Sequence, residues 1–568
     1  MDKKWKIRDV GDPVLVSKIA GELKIDTVLA SLLVQRDIDT YEKALLFFRP
    51  QLEDLHYPFL LKDMDKAVAR ILLAMSKNEK ILIYGDYDVD GTTAVALLYS
   101  FFSERYPHID YYIPDRYGEG YGISYKGMDF AKENGFTLII TVDCGIKANE
   151  QIDYANSLGI DIVVTDHHLP GDALPNATAI VNPKRLDCDY PDTNLSGCGV
   201  GFKLAQAFSL KNAIPFQFVQ KYIDLVAISI ASDIVPIVGE NRILAYFGLQ
   251  MLNKKPRTGI KSILSLLNFN KEISISDIVF VIGPRLNAAG RINTGRAAVE
   301  LMIAKEIRKS EEFAEILDSD NDIRKDLDTK ITEEAMDMIA SDPNQLSDKT
   351  TVLFNPTWHK GVLGIVASRL TEHYYRPTII LTQADDLITG SARSVKGYDL
   401  YAALESCVDL LEHFGGHKYA AGLAMKPENF PLFKERFEKF VTQTIEDEML
   451  VPEIEIDAEI KLSDISTKFY RILKQFAPFG PENMKPIFKT SAVLDRGFAR
   501  KVGNDHLKMN LISDDHKQNS FSAIAFKQAK YLEHIANKKP FDICYTIEEN
   551  EWNGQTSLQL NVKDIKIC

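Results

Sequence analysis

Three short β-branched runs each end in acidic residues. Residues 81–84 lead through Gly85 into Asp86-Tyr87-Asp88-Val89-Asp90-Gly91, residues 138–142 end at Asp143-Cys144-Gly145, and residues 162–165 end at Asp166-His167-His168. Runs of strand length separated by helical stretches predict a parallel, doubly wound sheet. Such sheets place their ligands beyond the carboxyl ends of the strands, so these carboxylates and imidazoles are expected to meet at one edge. Several carboxylates with histidine, and no paired cysteines, suit a hard or borderline divalent ion such as Mn²⁺ or Mg²⁺. The expected chemistry is metal-assisted hydrolysis of a phosphoester or phosphoanhydride.

Each acid also has a simpler reading. One aspartate after a strand is commonly a helix N-cap, which fits Asp86 and Asp166 taken singly. Asp86, Asp88 and Asp90 together place three negative charges in one turn, which is unfavourable unless cations intervene. Gly91 permits a tight turn there. His167 and His168 are adjacent, so an extended segment points only one of them into a given site and leaves the other for substrate. Asp233 lies within the apolar stretch 226–238. A metal ligand and a helix-end cap before Pro236 are both open readings for it.

At 568 residues the chain exceeds one core. Its 45% hydrophobic and 26% charged residues are those of an ordinary soluble protein. The start lacks a signal-peptide apolar region and no run reaches membrane-spanning length, so no membrane role is expected. Six cysteines without a CxxC pair read as reduced thiols, which predicts a cytoplasmic location. A net charge of −13 weighs against a polyanionic partner, although a local basic groove with bound cations overrides the global balance.

The pattern divides into a helical segment over 1–60, an α/β unit over 61–240 and a helical region with a long connecting helix over 241–345. A second α/β unit follows over 346–450, then short β runs over 451–568. Strands are predicted at 81–84, 111–114, 138–142, 162–165 and 179–181. The β runs at 454–456, 487–494, 507–511, 521–526, 541–547 and 558–562 predict a small barrel or sandwich. The fold class is thus multidomain α/β: a doubly wound parallel-sheet unit, a long connecting helix, a second α/β unit and a C-terminal barrel or sandwich.

Asp-Tyr-Asp-Val-Asp-Gly, Val-Asp-Cys-Gly, Asp-His-His and Ser-Asp-Ile-Val-Pro occur in the order of the DHH phosphoesterase superfamily, which the chain resembles. Gly283-Pro284-Arg285-Leu286-Asn287-Ala288-Ala289-Gly290-Arg291, the segment from Trp358 to Arg369, and Gly390-Ser391-Ala392-Arg393-Ser394 are similar to signatures of its RecJ family of single-strand-specific exonucleases. Gly415-Gly416-His417 with Gly422 resembles the loop of the accessory DHHA1 domain. Ala477-Pro478-Phe479-Gly480-Pro481 and Glu551-Trp552-Asn553-Gly554 resemble the OB-fold portion, which implies that the C-terminal unit is a β-barrel. The resemblance covers residue 50 to the end. It implies two divalent ions, Mn²⁺ or Mg²⁺. By motif position Asp88 and Asp143 hold one, with Asp86 binding or supporting it. Asp90, His167 and Asp233 hold the second, with Asp143 bridging and His168 facing the scissile phosphate. Tyr84 stands where many relatives have His, and Glu482-Asn483-Met484 departs from the Gly-Asn-Pro expected there.

On the substrate side, Arg285, Asn287 and Arg291 beside glycines suit phosphate contacts; surface ion pairing is the competing reading. Ser391, Arg393 and Ser394 are candidates to cradle a phosphate near the chain end. His359, Lys360, Arg369, Gly416 and His417 add donors and backbone. The glycine-rich helix start from Gly197 to Gly201 can bind an anion but lacks a nucleotide fingerprint. Phe476, Phe479 and Trp552 are candidates for base stacking, with core packing as the alternative. The resemblance implies a 5′→3′ exonuclease on single-stranded DNA that releases mononucleotides in repair and recombination. It also implies a monomer working with a single-strand-binding protein and a RecQ-type helicase. The competing functions are a phosphodiesterase of short oligonucleotides or cyclic dinucleotides, and an inactive nucleic-acid scaffold. The third unit speaks against the first and the intact acids against the second.

Overall fold

The computed structural model describes residues 2–513, 516–552 and 554–567; the side chains of 516–519 and of Trp552 lie outside the described part. A strand, β1 (Lys4–Ile7), and four α-helices precede the first sheet. That sheet holds β2 (Lys80–Gly85), β3 (Ile109–Tyr112), β4 (Phe136–Val142), β5 (Asp161–Thr165) and β6 (Ala179–Val181) in the order β3-β2-β4-β5-β6. Every pair is parallel. A parallel sheet is covered on both faces, and so its strands read as continuous apolar runs. Ile81, Ile83, Leu138 and Ile140 face a core with α1 (Val89–Ser103) and α2 (Gly197–Lys211). Leu82, Tyr84, Ile139 and Ile162 face the other core, with Met128, Ala131 and Ile152. Strand order reverses between β2 and β4, the place where a doubly wound sheet opens a ligand crevice. Strand β3 begins and ends two residues before the predicted 111–114; Pro114, which lacks an N–H donor, lies beyond it.

After α2 come α3 (Ile223–Ser232), α4 (Gly283–Ile292) and the 35-residue α5 (Ile307–Ser341), about 50 Å long. The long helix leads to a second sheet of β7 (Thr351–Phe354), β8 (Thr378–Ala384), β9 (Leu387–Arg393), β10 (His413–His417) and β11 (Ala420–Met425), ordered β10-β11-β9-β8-β7. The last unit adds β12 (Glu453–Ile456) and β13 (Ala458–Glu459), then β14 (Phe488–Asp495), β15 (Arg500–Val502), β16 (His506–Ser513), β17 (His516–Ala525), β18 (Phe541–Trp552) and β19 (Gln555–Ile567). Strand β14 pairs with both β18 and β16, so β14-β18-β19-β17-β16 closes into a barrel.

Two features lie outside the sequence reading. The N-terminal segment opens with a strand, and β1 pairs in parallel with β12. The first three helices after it (Pro13–Leu23, Thr27–Val34, Tyr41–Phe48) share the barrel's core, where Ile19, Leu29, Leu33 and Phe47 pack with Phe469, Phe476 and Phe488. The first and last parts of the chain thus form one packed body.

Candidate metal centre and nucleic-acid interface

The three strand ends converge as the parallel sheet requires. Asp86 follows β2 directly and is fully buried; one oxygen, Oδ1, accepts from Gly122 N at 3.2 Å and the other has no hydrogen-bond partner. Asp88 is the N-cap of α1, its Oδ1 accepting from Gly91 N at 3.0 Å. Asp90, in the first turn of α1, accepts from Gly197 N, Cys198 N and Ser229 Oγ, each at 2.7 Å. The glycine-rich start of α2 therefore binds an anion after all, and the anion is Asp90 of the same chain. Gly197 leaves no choice of residue, since a Cβ there would lie 2.5 Å from Asp143 Oδ1.

Asp143 follows β4 in a left-handed conformation, φ 60°, with its N–H on Thr165 O at 3.0 Å. His167 Nδ1 donates to Leu195 O at 3.1 Å, which leaves the Nε2 lone pair directed at carboxylates. Nε2 lies 3.2 Å from Asp143 Oδ1, 3.6 Å from Asp90 Oδ2 and 3.6 Å from Asp233 Oδ2. These separations are those of ion pairs, yet Nε2 and Asp143 Oδ1 both lack a hydrogen bond of acceptable geometry. Burial keeps His167 neutral, moving its pKa down against the pull of Asp90.

The electrostatics of this cluster call for cations. Burial, reinforced by Asp88, raises Asp86 well above the usual carboxylate range. Burial with Asp90, Asp88 and Asp233 does the same to Asp143. Asp88 is raised by burial and by Asp90. Asp233, at the C-cap of α3, is pushed up to about 8 by burial and then by Asp90 and Asp88. Two sets of donor atoms lie within 4.8 Å of one another: Asp143, His167 and His168, and Asp90, His167 and Asp233. Hard oxygen donors, a neutral imidazole and orphaned buried oxygens fit one or more divalent ions.

His168 turns to a different task. Nδ1 donates to Asp166 Oδ1 at 2.7 Å and Nε2 meets Tyr121 Oη at 3.2 Å. Burial opposes a charged ring, but the bond to Asp166 together with the charges of Asp166, Asp233 and Asp90 raises the pKa. Asp166 is itself fixed by the N–H groups of Ile146, His167 and His168. Asp166 and Tyr121 are absent from the sequence-based site. The Asp-His-His triplet was the available signal for Asp166; Tyr121 is in a loop with no motif. Tyr84 is buried, and its hydroxyl donates to Gly122 O at 3.1 Å.

The substrate-side candidates separate into groups. Arg291 donates to Gly361 O at 3.0 Å, joining α4 to the second α/β unit, and is lowered to about 10 by burial and by Arg116, Arg324 and Arg393. Arg393 reaches Ser391 Oγ at 2.9 Å and is lowered by burial. Neither Arg116, Arg291 nor Arg393 has a carboxylate partner within 4 Å among the described residues, so the three form a cationic wall suited to phosphate. Arg116 was missed because it stands in an unpatterned loop. His359 caps the turn before α6 (Leu363–Tyr374), accepting from Gly361 N at 3.2 Å, and is lowered by burial and Arg116. Asn287 is half-buried on α4, the helix that carries Arg291. Gly416 and His417 are exposed in β10, and His417 is lowered by burial and by Lys147, His168 and Lys184. Lys184, after β6, is a further cation near Asp233.

Other candidates are engaged inside the protein. Arg285 is buried against Asp318 at 2.8 Å and Val281 O, and Arg369 pairs with Asp328 at 2.7 Å; both tie elements to α5. Ser394 Oγ donates to Tyr398 O at 3.2 Å. Phe476 is fully buried edge-on to Phe47 and Phe48 and offers no face to a base. Phe479 is half-buried, and the side chain of Trp552, with Asn553, lies outside the described residues.

Buried carboxylates and imidazole at the switch point of a parallel sheet, facing an arginine wall, define a metal-dependent phosphoesterase of the DHH type. The comparisons agree. Family models match as the DHH family N-terminal domain over 80–230, the DHHA1 domain over 347–443 and the RecJ OB domain over 456–564. The single-stranded-DNA-specific exonuclease RecJ of Bacillus subtilis is 37% identical, covering 99% of this chain and 71% of its own. RecJ of Escherichia coli is 34% identical over 89% of this chain and 90% of its own. The crystal structure of Thermus thermophilus RecJ with Mn²⁺ superposes with a TM-score of 0.85 at 26% identity, covering 99% of this chain and 79% of that one. The chain belongs to the RecJ family.

Proposed function

We propose that this chain is a metal-dependent exonuclease that shortens single-stranded DNA from its 5′ end and releases mononucleotides. Its RecJ relatives carry the name of single-stranded-DNA-specific exonuclease, and RecJ structures hold Mn²⁺ or Mg²⁺. The observation that carries the reading is the meeting of Asp143 Oδ1 and His167 Nε2 at 3.2 Å, both buried and without hydrogen bonds, with Asp90 and Asp233 each 3.6 Å from the same nitrogen. In our reading Asp88, Asp143 and Asp86 hold one ion; Asp90, His167 and Asp233 hold the other, with Asp143 shared. When bound, the ions supply an activated water and charge for the leaving oxygen.

The chain's own residues do the rest. Asp166 and Tyr121 orient His168 so that its ring faces the scissile phosphate. Ser229 and the start of α2 hold Asp90 fixed. Arg116, Arg291 and Arg393 with Ser391 receive the terminal phosphate, which sets which end enters. The second α/β unit walls the passage and excludes a duplex. We place the enzyme in the cytoplasm as a monomer working with a single-strand-binding protein and a RecQ-type helicase. The five cysteines among the described residues are all free, which supports that compartment.

The test is digestion of 5′- and 3′-labelled single strands and of blunt duplex with Mn²⁺, Mg²⁺ or EDTA. A 5′ label should be lost early as a mononucleotide, only with metal, and the duplex should resist. Equal attack on both ends, or rapid loss of blunt duplex, would overturn the assignment.

A further inference from the structure

We infer that the loop 476–484 of the C-terminal unit positions Asp233, so that docking of the barrel sets the affinity of the metal centre. The inference rests on the reading of Asp233 as a metal ligand. Asp233 is followed by Ile234, whose φ of 59° is a left-handed conformation that a β-branched residue rarely adopts. Ile234 is 63% exposed, so burial of its own side chain does not hold it there. The restraint comes from the flanks. On one side Asp233 N–H closes α3 onto Ser229 O at 2.9 Å. On the other, Ile237 N–H donates to Pro481 O at 2.9 Å, a bond that leaves the catalytic unit for the barrel unit.

The fit at this point is tight. A Cβ on Gly480 would lie 2.4 Å from Ile237 Cδ1 and 2.9 Å from Cγ1, so any larger residue there makes the buried Ile237 side chain shift. The loop itself is clamped. Asn483 Nδ2 donates to Phe476 O at 2.9 Å and Pro478 O at 2.8 Å, and Gly480 and Asn483 exchange backbone bonds. Arg242, a few residues beyond Ile237, donates to Phe476 O and Ala477 O and also to Phe47 O of the N-terminal helices. It has no carboxylate partner within 4 Å among the described residues, and its charge is committed to these carbonyls and to the Phe47 ring, 3.6 Å away. The strained turn that carries Asp233 is thus fixed from outside its own domain. Groups that orient a metal ligand from the outer shell typically change affinity by about 10–100-fold when removed.

The experiment compares Gly480→Ala and Asn483→Ala with the unaltered full chain. Thermal melting first confirms that each is folded; Asn483→Ser replaces any variant that is not. Mn²⁺ binding to DNA-free protein is measured by calorimetry, cleavage of a short oligonucleotide is followed against Mn²⁺ concentration, and binding of a long single strand is measured in EDTA. The expected result is a loss of about tenfold in one of two Mn²⁺ affinities, activity regained at high Mn²⁺, and long-strand binding within twofold of the unaltered protein. Folded variants whose Mn²⁺ isotherms match the unaltered protein would overturn the coupling, as would a loss of long-strand binding with no change in metal affinity. An unaltered protein that binds no Mn²⁺ at all would instead defeat the metal-centre reading itself.

Discussion

Asp143 shows how a single residue carries the cluster. Its backbone adopts a left-handed φ, its carboxylate is buried against His167, and burial with four neighbouring carboxylates raises its pKa. Asp143→Ala should remove the shared ligand and abolish cleavage by at least about a thousandfold, while single strands still bind in EDTA. Near-normal turnover by the folded variant in Mn²⁺ would refute the shared-ligand role. Asp166→Asn tests positioning separately. It removes the negative charge on which His168 is held and turns the oxygen facing Ile146 N–H into a donor, so kcat should fall at least about tenfold with KM little changed. A change confined to KM would place His168 in binding alone.

Asp233 gives a pH prediction at the same scale. Its carboxyl is held up to about 8 in the folded metal-free protein, above the ordinary 3.8. A folded pKa above the unfolded one means that its contribution is complete below about pH 4 and is lost as pH rises through about 8. In EDTA, Tm should therefore fall across that window, and Asp233→Asn should flatten the fall. Added Mn²⁺ should raise Tm more at high pH, because binding displaces the proton. Scanning fluorimetry at several pH values decides it; a metal-free Tm that rises over the window would reverse the sign.

Among elements, α2 repays attention because its start performs two structural tasks at once. Its free N–H groups fix Asp90, and its first glycine leaves room for Asp143. Gly197→Ala should push Asp143 aside and cost about 10–100-fold in activity, with a matching loss of Mn²⁺ affinity. Ser229→Ala removes one of three donors to Asp90 and should be milder, about tenfold or less in Mn²⁺ affinity. The reverse order, measured by calorimetry on folded variants, would show that the donors matter more than the clearance.

For the whole molecule, the natural expectation is that the barrel can be removed without harm to the metal centre, since the proposed ligands all lie between Asp86 and Asp233. The structure argues otherwise. Truncation before Pro452 would strip the partner from Ile237 N–H and uncover Leu29, Leu33 and Phe47 of the N-terminal helices. The truncated protein should melt earlier, self-associate in size exclusion, and lose activity on short and long strands alike. Arg393→Ala should impair both lengths too, but with Tm and Mn²⁺ binding unchanged, because Arg393 has no carboxylate partner to lose. A truncated protein that stays monomeric with full activity on short oligonucleotides would show the barrel to be a separable grip.

The sequence by itself determined the parallel sheet, the edge at which its acids gather, the long helix and the run of short C-terminal strands, which the β14–β16 pairing then closes into a barrel. These rest on local periodicity and on strand-end chemistry, which survive without knowledge of neighbours. It also marked Glu482 as a departure from glycine, and the backbone there does adopt φ 60°. Only the tertiary structure decided which cations are free. Arg285 and Arg291 lie six residues apart in one motif, yet one is neutralised by Asp318 from α5 and the other lacks a carboxylate. It alone joined β1 to β12, turned the glycine-rich start of α2 toward Asp90, and brought Pro481 against Ile237. Those contacts link residues distant in the chain, and their energies come from burial and hydrogen-bond satisfaction at a shared interface. No local pattern encodes which partner supplies them.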